Sequence, residues 1–521
     1  MAEVNETTAL TKATALTKAT AQNRHKDAIH TTARSEVSAS EPAGKRDSGS
    51  ERQVPMSDDG ILEMGEEEWK AAEKSLVRKL DMLLMPTLWI LYLFNYLDRT
   101  NISQAKLSTF EKDLGLVGDQ FNVAVSILNV GYMLMQLPSN MLLTLVRPSI
   151  YIPFWTSLWS IVSASTASAN TFSHLVVIRF FLGFVEAPFS PGAIYLMTCW
   201  YPRRELALRI SIFLTGLPIA TAFSGLIAAG VLARLEGARG IAGWQWLFIV
   251  EGAGSFVFAL TSLLLLPDFP DQKRRRWSLV RWLVTERERR VAEERIRRDR
   301  VSLPVAEEKG VFYGLKLAVF DVRTWIFVLM VTANHAAYGF INFFPTIVKG
   351  FKLGGQTETL LLTAPPYVVS AFVLLYVGIS SDKKNERGLH IAIPQMIACA
   401  GFIITAATQN GPARYAAAFL YISGSFASLA PLYSWTSSTL GKTPQQRACA
   451  VAIVNLVGQL GNIVSPYFFP SGDAPRYLLA NMLMMMCSAI VVVASVVMKA
   501  MLKRANAELL RNNPAAVVYT L

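Results

Sequence analysis

Cysteine is scarce in this chain: there are four, Cys199, Cys399, Cys449 and Cys487, among 521 residues. They sit in or beside apolar segments without motif spacing, which excludes a disulfide framework and a thiolate metal centre. No nucleophile–base pair, metal-ligand cluster or phosphate-cradling glycine loop can be assembled either, so no enzyme and no cofactor or metal site are expected. Residues 1–55 are polar and lack the apolar stretch of a cleavable signal peptide. Charge is sparse as well, at 17% of residues, while 52% are hydrophobic. That balance excludes a soluble protein of this size.

The apolar residues come in blocks. About twelve of them reach the roughly 20 residues needed to cross a bilayer as a helix. They lie near 82–104, 121–143, 151–169, 175–199, 209–233, 246–266, 324–347, 358–380, 389–408, 413–438, 446–468 and 476–500. Their length excludes barrel strands. The net charge of +12 does not indicate nucleic acid, because the basic residues gather in alternate loops. Arg203, Arg204 and Arg209 follow block 4, and a basic stretch from Lys273 to Arg300 separates blocks 6 and 7. Lys383, Lys384 and Arg387, then Lys442 and Arg447, then Lys499, Lys503 and Arg504 follow blocks 8, 10 and 12. The positive-inside rule then places both termini in the cytoplasm. Residues 1–80 read as a cytoplasmic tail, mostly disordered and carrying a tandem ALTKAT repeat, with 57–80 a surface helix leading into block 1. Residues 81–266 form a first six-helix bundle, 267–323 a cytoplasmic loop carrying a solvated helix, 324–501 a second bundle and 502–521 a short tail. Six helices, a long loop and six more predict an all-α integral membrane protein of two equivalent halves, with its site between them.

A charge at bilayer depth costs roughly 3 kcal/mol on insertion scales, so charges inside the blocks carry the functional reading. Asp98 and Arg99 lie late in block 1; Arg179 and Glu186 lie in block 4. Arg179 and Glu186 are seven residues apart and share a face. Asp98 and Arg99 are neighbours, about 100° apart around a helix, and cannot point the same way. One is expected to pair with block 4 and the other to face the central cavity. Arginine stays charged and suits an anion post; a buried carboxyl can exchange protons near neutrality. Arg99 is therefore the candidate substrate anchor, and Asp98, Glu186 and Arg179 the candidate proton-coupling group. A purely structural salt-bridge network is the competing reading, and it suits Asp98 and Arg179 better than Glu186. His335, Tyr338 and Asn342 in block 7 and Asn455 in block 11, on one face with Gln459 and Asn462, are candidate substrate contacts. Gly339 and Pro345 are placed to break block 7.

The stretch GISSDKKNER (378–387) resembles the loop signature of the major facilitator superfamily, in which Asp382, Lys383 and Arg387 would latch helix ends. DRTNISQAKL (98–107), QLPSNMLL (136–143), RFFLGFVEAPFSPG (179–192), WYPRRELALR (200–209), GWQWLFIVEG (243–252), TAPPYV (363–368), SWTSSTLGKTPQQRACA (434–450) and DAPRY (473–477) run in the order seen in fungal allantoate permease-type transporters. These belong to the anion:cation symporter group of that superfamily. The resemblance spans about residues 80–505. It implies the major facilitator fold, 12 transmembrane helices, and H⁺-driven import of an organic anion such as a vitamin or ureido acid. It also implies substrate binding at Arg99 and proton coupling at Asp98 and Glu186, with Arg179 in the same cluster. The expectation is a monomer, probed by a small organic anion and embedded in lipid at the plasma membrane. Two alternatives share the fold: an exporter of an acidic metabolite, and a transport-inactive nutrient sensor.

Overall fold

The computed structural model describes residues 65–143, 146–270, 284–299, 311–440, 444–512 and 518–521. The tail and its repeat at 1–55 and the basic stretch 273–281 lie outside them. Twelve helical spans follow in order: α1 Glu66–Ala105, α2 Gln120–Leu143, α3 Pro148–Ser165, α4 Phe172–Trp200, α5 Leu208–Arg234, α6 Gly243–Leu265, α7 Val322–Asn342, α8 Gln356–Lys384, α9 Gly388–Ala407, α10 Gly411–Thr439, α11 Gln446–Phe468 and α12 Leu478–Asn512. Ten of them are long and apolar enough to cross a membrane. There are no strands among the described residues. A helix satisfies its own backbone polar groups, which lipid cannot do.

The packing repeats with a period of six. In the first half α1 packs on α5 and α6, α2 on α4, and α3 on α6; in the second α7 packs on α11 and α12, α8 on α10, and α9 on α12. The halves meet where α5 lies along α8 and α2 along α11, pairs that exchange under the same shift of six. This is the two-bundle major facilitator architecture. Close approach inside the first half depends on Gly183: a Cβ there would fall 1.8 Å from the Leu128 carbonyl oxygen of α2. That contact fixes the depth of α4, and with it Arg179 and Glu186.

Several spans are broken near mid-depth. In α4 the helix stops at Glu186 and resumes at Phe189, because Pro188 has no amide hydrogen to continue the ladder. In α7 it stops at Ala337, passes through a 3₁₀ turn at Gly339–Asn342 and resumes at Phe344, where Gly339 and Pro345 foretell a break. At the end of the bundle remote from the termini, aromatic rings close the seam between halves. Phe121 of α2 meets Phe343 edge-on with centroids 5.7 Å apart, and the Lys106 ammonium lies 5.6 Å from the Phe343 centroid. The Ser126 hydroxyl donates to the Ile463 carbonyl at 2.8 Å across the same seam.

Three expectations need correction. First, the helix expected ahead of block 1 is not a separate surface element: α1 is one unbroken helix from Glu66. Second, the linker helix Glu286–Asp299 is not a free solvated helix: Val291 and Ala292 are fully buried, and it packs on α1. Its Glu288 receives hydrogen bonds from Lys79 Nζ at 2.7 Å, Ser75 Oγ at 2.7 Å and the Thr285 amide at 2.8 Å. The pattern of charges concealed this, because some of the opposite-charge pairs reach across to α1 instead of along the helix: Glu73 pairs with Arg295 at 2.7 Å. Third, the loop latch uses different partners. Asp382 pairs with Arg387, but Lys383 is exposed. Glu386 makes the tie to a neighbouring helix, through Lys499 of α12 at 2.7 Å. The segment 518–521 folds back on the same end: the Leu521 carbonyl accepts from the Arg387 amide at 2.5 Å, and the Thr520 carbonyl from Trp435 Nε1 at 3.0 Å.

Burial works against the Glu288 charge, but the Lys79, Ser75 and Thr285 donors more than offset it and hold its carboxyl below the usual range. A carboxylate favoured in the folded state contributes stability that is fully present above its unfolded value of about 4.3 and is lost as pH falls through the lower folded value. Hydrogen–deuterium exchange, corrected for intrinsic rates, is expected to show residues 286–299 protected at neutral pH and deprotected at strongly acid pH. Glu288→Ala should deprotect the same residues at neutral pH while leaving α9 and α12 unchanged.

Candidate functional site

Between the halves lies an open cavity. Tyr96, Arg99, Asn129 and Arg179 line it from the first half, and Tyr338, Asn342 and Asn462 from the second; Val125, Leu128 and Ile341 supply apolar wall. Arg99 is its centre. Its Nε donates to Glu186 Oε2 at 2.5 Å, its guanidinium lies 4.7 Å from the Tyr132 ring centroid and 5.3 Å from that of Tyr96, and its Nη2 has no partner. A guanidinium held on one edge by a carboxylate and on its faces by aromatic rings is oriented, with donors left over for a ligand. Arg179 is 1% exposed, yet its Nε and Nη2 have no hydrogen-bond partner. Two arginines thus bring unspent donors to the cavity.

The neighbour of Arg99 points elsewhere. Asp98 is fully buried between α3 and α6, where Ser163 Oγ donates to its Oδ1 at 2.6 Å and Ser255 Oγ to its Oδ2 at 2.9 Å. The 100° between consecutive residues is resolved in a way the sequence left open. Arg99 takes both expected roles, pairing with α4 and facing the cavity, and Asp98 turns into the first bundle. No ion pair forms between Asp98 and Arg179 within the 4.0 Å limit among the described residues, while Arg99 and Glu186 make one. The structural-network reading, which favoured Asp98 and Arg179, has its pair in the other two residues.

Of the second-half candidates, Tyr338 and Asn342 reach the cavity. His335 stands behind Tyr338: its Nδ1 is 2.9 Å from the Gly458 carbonyl, its Nε2 3.1 Å from the Tyr433 hydroxyl, and its ring meets Tyr338 edge-on at 5.4 Å. Asn455 is not on the cavity lining; Asn462, two turns further along the same face, is. The interruption of α11 at Gln459 separates the two. Sequence reasoning passed over Asn129, Tyr132 and Tyr433. Asn129 could have been found, as an amide inside apolar block 2; Tyr132 and Tyr433 carry no such signal, because tyrosine in a membrane helix is ordinary packing.

A fold of two six-helix bundles around a polar cavity defines a membrane transporter. The Major Facilitator Superfamily model matches residues 88–466, and the chain belongs to that family. It is 31% identical over 439 residues to the major facilitator-type transporter hxnP of Emericella nidulans, covering 82% of this chain and 85% of the relative. It is 33% identical over 416 residues to the MFS-type transporter efuF of Hormonema carpetanum, covering 78% and 80%. A quinolone resistance transporter of Acinetobacter baumannii is 29% identical, with 76% and 88% covered. Among solved structures, the proton:xylose symporter XylE superposes with a TM-score of 0.62 at 17% identity, covering 82% of this chain and 96% of that one. An inward-facing bacterial homolog of the human lysosomal transporter Spinster superposes at 0.61 with 18% identity, covering 79% and 95%. These likenesses carry the fold.

Replacing Asp98 by alanine strands two buried serine hydroxyls, at a cost of about 1–3 kcal/mol. Asp98→Asn keeps an acceptor. The thermal midpoint of purified protein in detergent is expected to fall in the order wild type, Asp98→Asn, Asp98→Ala.

Proposed function

We propose that the protein imports a small organic anion, a carboxylate, together with H⁺ by alternating access. The observation that carries this reading is the Arg99–Glu186 pair at 2.5 Å in a cavity shared by both halves. With Asp98, Arg99, Arg179 and Glu186 all ionised the group is neutral, and an arriving carboxylate leaves it one negative charge in excess. In a low-dielectric site that excess is relieved by a proton. Protonation of Glu186 frees the Arg99 donor it occupied, so anion and proton load together, and neither is favoured without the other. Asn129, Asn342 and Asn462 provide donors and acceptors for the rest of the solute, and Tyr96 and Tyr338 flank it. Rocking of the two bundles about the α2–α11 and α5–α8 seams would expose the cavity to each side in turn. In this reading the protein resides in the plasma membrane as a monomer with both termini cytoplasmic, and the basic loops fit that orientation.

The test is uptake of labelled carboxylates into cells expressing the chain, with and without a proton ionophore. Wild type should accumulate one acid in an ionophore-sensitive manner. Arg99→Ala should lower uptake about 30-fold or more, the range for stranding one member of a buried charge pair. Glu186→Gln should abolish concentrative uptake while preserving exchange of internal for external substrate. Ionophore-insensitive loss of a preloaded acid would point instead to an exporter, and an absence of flux in well-expressed protein would sink both.

A further inference from the structure

One buried charge has no part in the mechanism above. Glu251 of α6 is 2% exposed, and both its carboxyl oxygens lack a hydrogen-bond partner. The Asn101 amide of α1 approaches it short of hydrogen-bond geometry, and Asp98 is the titratable group whose charge reaches it. From α3 and α5, the other helices packed on α6, no charged or titratable side chain faces it among the described residues. Glu251 precedes Ser255 by one helical turn, so both project toward Asp98.

The two carboxyls have unequal surroundings. Asp98 receives two hydroxyl donors, from Ser163 and Ser255, and feels the charge of Arg179. Glu251 has neither a cation nor a completed hydrogen bond. The serines also spend their protons on Asp98, which is the arrangement that favours an ionised acceptor. A carboxylate buried without a partner cannot keep its charge, so Glu251 favours the protonated form whether or not Asp98 and Glu186 are ionised.

We propose that Glu251 is a second proton-binding site, set behind the cavity and distinct from Glu186, which carries the resident proton of a Glu251–Asp98 pair and exchanges it with Asp98. The pair titrates as a unit: one proton at neutral pH, lodged on Glu251, and none once the medium is alkaline enough to strip it. The consequence for transport rests on the symport proposed above. Loss of the resident proton leaves two adjacent carboxylates behind the cavity and weakens anion binding at Arg99 and Arg179.

Infrared spectroscopy of the full chain in lipid vesicles tests the assignment without any transport assay. At neutral pH wild type should show a buried carboxylic-acid C=O stretch. That band should persist in Glu186→Gln and in Asp98→Asn and vanish in Glu251→Gln. A wild type without the band, or a band that survives in Glu251→Gln, or one that Asp98→Asn removes, would overturn the proposal. Should Glu251→Gln fail to give monodisperse protein, Glu251→Asp replaces it: a shifted band supports the assignment and an unmoved one refutes it. Uptake against pH is the second arm. Wild type should lose uptake on the alkaline side, and Glu251→Gln should retain its acid-side uptake with that alkaline fall removed; an unaltered profile would show that the proton does not take part in transport. If no acid is taken up at all, the symport reading fails while the infrared band still decides the proton site.

Discussion

Charge taken out of water has to be balanced where it lies, and the first bundle is arranged around that requirement. The Arg99 guanidinium cannot be neutralised and sits at mid-depth in an apolar helix, so its position demands a carboxylate within reach. Glu186 supplies one, and it can only because the Gly183 contact sets α4 against α2 at the right depth. Replacing a buried pair by apolar residues is often neutral or favourable for stability. Stability alone therefore gives no reason to keep this one, and a pair left with unspent donors facing a cavity is better explained by a ligand.

The same requirement is met differently elsewhere. Asp98 is satisfied by the hydroxyls of Ser163 and Ser255 instead of an ion-pair partner, which leaves it without a tie to α4. At the end of the bundle near the termini, Arg209 donates to both oxygens of Asp81 at 2.8 Å and Tyr201 adds a third hydrogen bond at 3.0 Å. That contact joins α1 to α5 within one half. The seam between halves is built otherwise: single hydroxyl or amide donors to backbone carbonyls, edge-on rings and a cation over an aromatic face. Bonds of that kind are individually weak and can be exchanged, as a seam that opens and closes requires.

The sequence made the helices legible because lipid imposes a length and an apolarity that few other folds demand. It made Arg99, Arg179 and Glu186 legible for the same reason, as costly charges in costly places. Tyr338 and Asn342 were readable from the expected break in α7. The direction of Asp98 was not, since helical geometry says that it diverges from Arg99 but not toward which neighbour. Asn455 was preferred to Asn462 because a common face on an ideal helix treats them alike, and the interruption at Gln459 does not appear in the pattern. Glu251 is a different case: a lone carboxyl in the apolar run GWQWLFIVEG meets the criterion applied to Glu186, and nothing in the sequence hid it. The linker helix was misjudged because its apolar stripe is only Val291, Ala292 and Ile296, too narrow to separate a docked helix from a free one.

The docked linker helix changes what connects the halves. Residues 286–299 move with α1, and the helix Val311–Phe320 packs against α11 of the second half. Between these two anchors the chain has eleven residues, 300 to 310, and not the whole of 267–323. Eleven residues can span at most about 36–40 Å, ample for a rocking movement of a few ångströms, so the chain restrains how far the halves separate without opposing how they tilt. A cut or an insertion within that stretch would change the leash and leave both anchors standing.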